Sequence, residues 1–333
     1  MHLTEDDMTR CILAAAAALA LALALPSCAV LAQAYPNKPV RIVVPYAPGG
    51  PTDIIARVVG QKLSDDTGQP VIVDNRPGAG GLLGTDLVAK ATPDGYTLLL
   101  CSSGPMAVSP ALGAKLPYDP QRDIAPVTLV VTIPYLLLVN GVSGPNSVKE
   151  LIALAQNNPG KLNYGSAGPA TTSFFAAALF TLRAKIDMVH VPYKGSAQAG
   201  TDLAGGHVQM MFEAVPAALR LVKTGKVRIL GISTARRFSL MPDVPTISES
   251  GVPGFETNTW SGICTAGRTP PAIVERASAL IVKGLQGSEM RQRIAGLGAE
   301  LVANSAQEFS AFIKEEQMKW RRLVRDTGAK TDY

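Results

Sequence analysis

The chain has 333 residues, enough for two lobes with a core each; 47% are hydrophobic and only 17% charged, which excludes a long acidic or basic disordered tail. The formal net charge of +5 favours anionic partners without specifying one. The basic residues are scattered and aromatics make up only 5%, so no surface that stacks bases or tracks phosphates is expected, and nucleic acid is excluded as a partner.

Residues 1–34 read as an export signal. Arg10 precedes an unbroken apolar run over 11–25, and Ala32-Gln33-Ala34 offers the small residues at alternate positions that signal peptidase accepts. The run falls short of the ~20 apolar residues a membrane-spanning helix needs. Glu5-Asp6-Asp7 is an unusual beginning for such a segment, whereas a start at Met8 gives an ordinary one, so Met1 and Met8 both stand as start codons. Cys28 invites a lipidation reading, but Pro26 fits that site badly. The segment holds one base and three acids, so cleavage raises the net charge from +5 to +7. Two cysteines then remain, Cys101 and Cys264, each in an apolar run; they can form one bridge in an oxidising compartment or stay as two buried thiols.

Past the signal, strand, loop and helix alternate. A strand is expected over 40–44, then the loop Ala47-Pro48-Gly49-Gly50-Pro51, then a helix capped by Thr52 or Asp53 and ended by Gly68. The unit repeats as a strand over 71–73, the loop Arg76-Pro77-Gly78-Ala79-Gly80-Gly81 and a helix over 82–90. A third strand over 96–101 ends in Ser102-Ser103-Gly104. A second set opens with a strand over 135–139 and the capping box Ser147-Val148-Lys149-Glu150. It continues with a strand over 162–165, the loop Ser166-Ala167-Gly168-Pro169 and a helix capped by Thr171 or Thr172. Strands are also expected over 187–191, 208–212, 227–232 and 259–264, with helices to the carboxyl end. Such alternation implies α/β lobes, each a mostly parallel sheet flanked by helices. The chain carries no linker, so more than one crossing should join the lobes. We place the crossings near 132–134 and 233–235, giving one lobe from 35–132 and 236–333 and a second from 133–235.

In open parallel sheets ligands bind at the carboxyl ends of the strands, where helix starts present free amides and a positive dipole end. The loops 48–53, 76–81, 102–104 and 166–172 all sit there. Each alone is as well explained by a tight turn or a cap; their common position is the stronger signal. Catalytic and cofactor motifs do poorly. Gly78-Ala79-Gly80 lacks the third glycine and the following acid of a dinucleotide fingerprint, and Gly165-Ser166-Ala167-Gly168 lacks nucleophile-elbow spacing. His190 and His207 are not at metal-ligand spacing and read as strand residues. Asp53 and Glu213 could pose as a carboxylate pair, although capping explains Asp53 equally well. No cofactor or metal is expected.

Several motifs carry a family resemblance. They are Tyr46-Ala47-Pro48-Gly49-Gly50-Pro51-Thr52-Asp53, Asn75-Arg76-Pro77-Gly78-Ala79-Gly80-Gly81, Pro93-Asp94-Gly95-Tyr96-Thr97 and Leu116-Pro117-Tyr118-Asp119-Pro120, followed by Asn158-Pro159-Gly160-Lys161-Leu162-Asn163-Tyr164-Gly165-Ser166, His190-Val191-Pro192-Tyr193-Lys194-Gly195 and Pro242-Asp243-Val244-Pro245-Thr246. Together, and in this order, they resemble the Bug family of extracytoplasmic solute receptors, the binding subunits of tripartite tricarboxylate transporters. The resemblance implies a two-lobed periplasmic-binding-protein type II fold, a periplasmic location, a monomer, membrane transporter subunits as partners and a small organic anion, a carboxylate, in the cleft. It implies ligand-binding roles for Tyr46, Pro48, Gly49, Gly50, Thr52 and Asp53, for Ala79 and Gly80, and for Ser102, Ser103 and Gly104. In the second lobe it implies them for Ser166, Ala167, Gly168, Thr171, Thr172, Tyr193, Lys194 and Glu213. The chain departs from the family at Phe174, where a histidine is frequent, and at Glu213, where aspartate is. Both changes favour monocarboxylates or aromatic acids over citrate. An exported receptor that signals to a membrane kinase, or an enzyme acting on a carboxylate, are the competing readings.

Overall fold

The computed structural model describes residues 35–168, 171–193 and 195–327. The expected export signal and Lys194 lie outside the described residues. The strands are β1 (Val40–Val44), β2 (Val71–Asn75), β3 (Thr97–Ser102), β4 (Ile124–Asn140), β5 (Asn163–Ser166), β6 (Val189–Pro192), β7 (Met210–Ala214), β8 (Val227–Ile232), β9 (Asn258–Ala266) and β10 (Glu300–Leu301). The longer helices are α1 (Pro51–Thr67), α2 (Leu82–Ala89), α3 (Val148–Asn157), α4 (Thr172–Ala184), α5 (Ser196–Gly205), α6 (Val215–Val222), α7 (Pro271–Leu285), α8 (Ser288–Gly296) and α9 (Ala306–Thr327).

Each lobe is built on a parallel trio, β2-β1-β3 in the first and β7-β5-β6 in the second. Antiparallel strands extend both: β9 pairs with β3 and with β4, while β7 and β8 pair with β4. β1 and β3 read as continuous apolar runs because both faces are covered, whereas edge strand β2 leaves Ile72 exposed. Ile42, Val44, Leu98 and Leu100 pack against α1 and α7, whereas Val43, Leu99 and Cys101 pack with Trp260, Phe309 and Ile313 on the other side. Cys101 and Cys264 form a disulfide joining β3 to β9, which settles the choice left open between a bridge and two thiols.

β4 belongs to both sheets. Up to Pro134 it pairs with β9, and from Tyr135 it pairs with β7. β4 thus changes partner strand between Pro134 and Tyr135. The first half of β4 was not expected, because a proline usually argues against a strand interior. Pro126 is accommodated beside a register shift, and Pro134 sits at the changeover between sheets. The second crossing differs from expectation. The Ser233 amide donates to the Tyr135 carbonyl at 2.9 Å and Ser233 Oγ accepts from the Tyr135 amide at 2.9 Å, but the chain does not return to the first lobe there. Phe238 packs in the second lobe's core with Leu136 and Met211, and Ile247, Val252 and Phe255 pack with Phe180 and Phe212. The apolar side chains of the segment after Ser233 need a core to enter, and the nearer one holds them until Thr257, whose amide donates to the Ser233 carbonyl. The boundary expected at 236 is corrected accordingly.

α9 ends on both lobes. Phe309 and Ile313 face the first lobe's sheet, while Trp320 and Leu323 form a cluster with Ala107 and Val108 of the first lobe and Phe175 on α4 of the second.

Candidate ligand-binding cleft

In the first lobe three loops leave the carboxyl ends of β1, β2 and β3. α1 starts at Gly50, whose extended backbone is the cap, with Pro51 entering the first turn; neither Thr52 nor Asp53 caps it. Asp53 instead reaches back. Its Oδ2 accepts from the Gly49 amide and from Arg57 Nε, each at 2.9 Å, and its Oδ1 accepts from Asn75 Nδ2 at 3.0 Å. Asn75 also donates to the Tyr46 carbonyl at 3.0 Å. Burial would raise the Asp53 carboxyl, but Arg57, the Gly49 amide and Asn75 outweigh it and hold it below its ordinary value. Asp53 thus fastens the first loop to the second. Its partners all belong to the first lobe and those of Glu213 to the second, so they share no partner as a carboxylate pair would.

Tyr46 lies partly buried behind these loops, its hydroxyl 2.7 Å from Ser102 Oγ at the end of β3. The turn Ala79–Gly81 runs through left-handed backbone, with φ of 48° at Ala79, 64° at Gly80 and 98° at Gly81. A side chain at Gly81 would press on the Tyr46 ring and hydroxyl at 3.1–3.2 Å, so glycine allows the approach. One at Gly104 would meet the Tyr46 hydroxyl at 3.6 Å and the Gly80 carbonyl at 3.9 Å, which sets the second and third loops side by side. Ser103 Oγ lies 2.9 Å from Thr259 Oγ1 on β9. Tyr46, Gly80, Ser102 and Gly104 are therefore brought together, with Pro48, Gly49 and Thr52 on the adjoining loop and helix start.

In the second lobe Ser166 ends β5 fully buried. Its Oγ lies 2.7 Å from His190 Nε2 and also bonds within the loop, 3.1 Å from the Gly168 carbonyl and 3.2 Å from the Gly168 amide. Thr171 caps α4 by accepting from the Phe174 amide at 3.3 Å and donates to the Gly168 carbonyl at 2.7 Å; Thr172 follows as the first helical residue. Ser173 Oγ accepts from the Ala167 amide at 3.1 Å. His190 stacks on Tyr164 at 5.0 Å between centroids and meets Phe174 at 4.6 Å, and burial pushes its imidazole below the usual histidine value. Sequence reasoning placed His190 on its strand but missed its bond to Ser166; the motif His190-Val191-Pro192-Tyr193 was the signal, and only the parallel pairing of β5 with β6 shows what it meets. The Tyr193 hydroxyl donates to Asp202 Oδ2 at 2.6 Å, so its side chain braces α5. Glu213 is buried near the carboxyl end of β7, where its own-neighbour Ala214 amide donates to Oε1 at 2.9 Å.

Two further cavities, of about 360 and 650 Å³, contain none of these residues; both lie on the first lobe, one lined by Lys90, Arg122 and Arg268, the other by Val274, Ser278 and Ser310. Among the described residues no group of three or more His, Cys, Asp or Glu is placed to hold a metal, and no helix is long and apolar enough to cross a membrane.

Two α/β lobes sharing a through-running strand, with glycine- and hydroxyl-rich helix starts at the sheet ends, define a solute-binding protein of the periplasmic type. Residues 55–329 match the profile of the Tripartite tricarboxylate transporter family receptor. The chain belongs to this family, and the Bug resemblance of its motifs is confirmed. It is 38% identical over 302 residues to Protein BugT of Bordetella pertussis, covering 90% of this chain and 93% of that one. Among solved structures it is similar to an R. palustris protein with adipate (32% identity, TM-score 0.76, covering 89% of this chain and 99% of that one). It is also similar to MatC from Rhodopseudomonas palustris with bound malate (33% identity, TM-score 0.71, covering 87% and 100%).

Proposed function

We propose that this protein is an exported monomeric receptor, processed after Ala34, that captures a small carboxylate between its lobes and delivers it to the membrane subunits of a tripartite tricarboxylate transporter. The observation that carries the reading is the placing of two loop sets, one per lobe, at the carboxyl ends of the parallel trios, on helix starts (α1, α2, α4) that favour anions. Charge-assisted hydrogen bonds contribute ~1.5–3 kcal/mol each, so a few give the roughly 8 kcal/mol of micromolar binding after association costs. The family membership and the adipate and malate held by the two relatives support a carboxylate. Pro48, Gly49, Thr52, Gly80, Ser102 and Gly104 form one wall and Ser166, Ala167, Gly168, Thr171 and Thr172 the other. Tyr46 and Asp53 hold the first wall in place, and Phe174 offers an apolar surface that favours a monocarboxylate or aromatic acid over citrate.

The test is mass spectrometry of the solute carried by the native protein, followed by calorimetry with a panel of acids and their amides. Acids bind and amides do not on this reading; amides binding as tightly as the acids would overturn it. Sequencing the mature amino terminus checks export, with Tyr35 as the expected first residue.

A further inference from the structure

Among the described residues of the second lobe, Glu213 is the acid with a buried, unpartnered oxygen. It is 7% exposed, and its Oε2 is sealed from solvent with no hydrogen-bond partner. β7 lies between β4 and β5, and the pairings Tyr164 with Met210 and Gly165 with Met211 bring Ser166 and Glu213 to the same end of neighbouring strands. Ser166, Ala167, Gly168 and the start of α4 therefore lie at the same end of the sheet as this carboxyl. Among the described residues the groups facing it are few. Tyr135 on β4, beside Thr172 on α4, stays neutral, since burial and Glu213 itself push its hydroxyl up. Ser196 stands at the start of α5, and Arg220 on α6 is exposed. Tyr193 and Asp202 are bonded to each other, and His190 to Ser166. Burial raises the Glu213 carboxyl, and Ser196, the Ala214 amide and Arg220 offset this only in part. Two carboxylates in one poorly solvated place cannot both stay ionised without a large penalty.

We propose that the cleft takes up its carboxylate together with one solvent proton, held on Glu213, so that ligand and Glu213 are not both negative in the bound state. This rests on the carboxylate reading above. The unmatched Oε2 is the oxygen that carries the proton, and ionisation of Glu213 works directly against the ligand's charge. The neutral acid is then the capturing form, and Glu213 sets which ligand charges the site tolerates.

The experiment is calorimetry of the full-length mature protein with adipate, malate and a panel of monocarboxylates, from about pH 5.5 to pH 8.5, in two buffers of different ionisation enthalpy. Above the Glu213 midpoint the affinity should fall by about tenfold per pH unit, with about one proton taken up per ligand. Glu213→Gln keeps the size of the side chain but cannot ionise, and its affinity should vary less than about twofold over the same range. His190→Gln should keep the wild-type slope. A wild-type affinity that ignores pH, no proton uptake, or an unchanged slope in Glu213→Gln would each overturn the proposal. Proton uptake is read on the wild type, so a misfolded variant does not shelter the idea. A wild type that binds none of these acids at any pH sinks the carboxylate reading and this inference with it.

Discussion

The ring of Phe175 meets the indole of Trp320 edge-on, 5.0 Å between centroids, and joins α4 of the second lobe to α9, which begins on the first. Trp320 Nε1 also donates to the buried Glu316 at 3.1 Å, as does Trp260 Nε1 from β9. The same cluster holds Ala107 and Val108, just beyond the loop Ser102-Ser103-Gly104. Removing the indole opens a cavity between the lobes and frees one bond of Glu316. Trp320→Ala should therefore cost about 3–5 kcal/mol of stability, read from urea denaturation, with Trp320→Phe costing less. A loss under about 1 kcal/mol in the alanine variant would show that the contact is dispensable.

Tyr46 and Ser102 are linked at 2.7 Å behind the first-lobe loops. Tyr46→Phe keeps the ring packing against Gly81 and deletes that bond. The expected cost is about 0.5–1.5 kcal/mol of stability, read from the unfolding midpoint, together with a weaker ligand affinity as the loops loosen. Unaltered affinity by calorimetry would remove Tyr46 from the machinery that positions the cleft.

Asp53 should make the fold acid-sensitive. Its carboxyl is held below its ordinary value in the folded chain, so its contribution is present above the unfolded carboxylate value of about 3.9 and is lost as pH falls through the folded value. Asp53→Asn should cost about 1–3 kcal/mol near neutrality and reduce the difference in stability between about pH 3 and pH 6. Urea titrations at the two pH values check this. An equal pH difference in wild type and variant would mean that other acids carry it.

The Cys101–Cys264 bridge closes a loop with a sequence separation of 163. Reduction, or the double change Cys101→Ser with Cys264→Ser, should lower stability by roughly 2–5 kcal/mol, mainly by freeing the unfolded chain. Thermal unfolding with and without reductant measures it, and coincident transitions would mean that the thiols are not bonded in solution.

What the sequence determined by itself was local. Apolar runs marked β1 and β3, Gly68 ended α1 and Ser147 with Glu150 opened α3, because period, capping and turn chemistry depend on near neighbours. The glycine- and hydroxyl-rich loops at the helix starts were legible for the same reason: such residues have a local meaning there. The motifs also showed the family. Tertiary structure decided what distant segments do to one another. It allowed Pro126 and Pro134 inside β4, since a bulge and a change of sheet remove the demand for their missing amides. It kept the segment after Ser233 on the second lobe until Thr257, because Phe238 and Phe255 are buried in that core. It closed the cysteine pair, turned Asp53 from a cap into a clasp, and set His190 against Ser166 across paired strands. It also left Glu213 buried with one oxygen unmatched, for burial is a property of everything packed around a residue and not of the residue's neighbours in sequence.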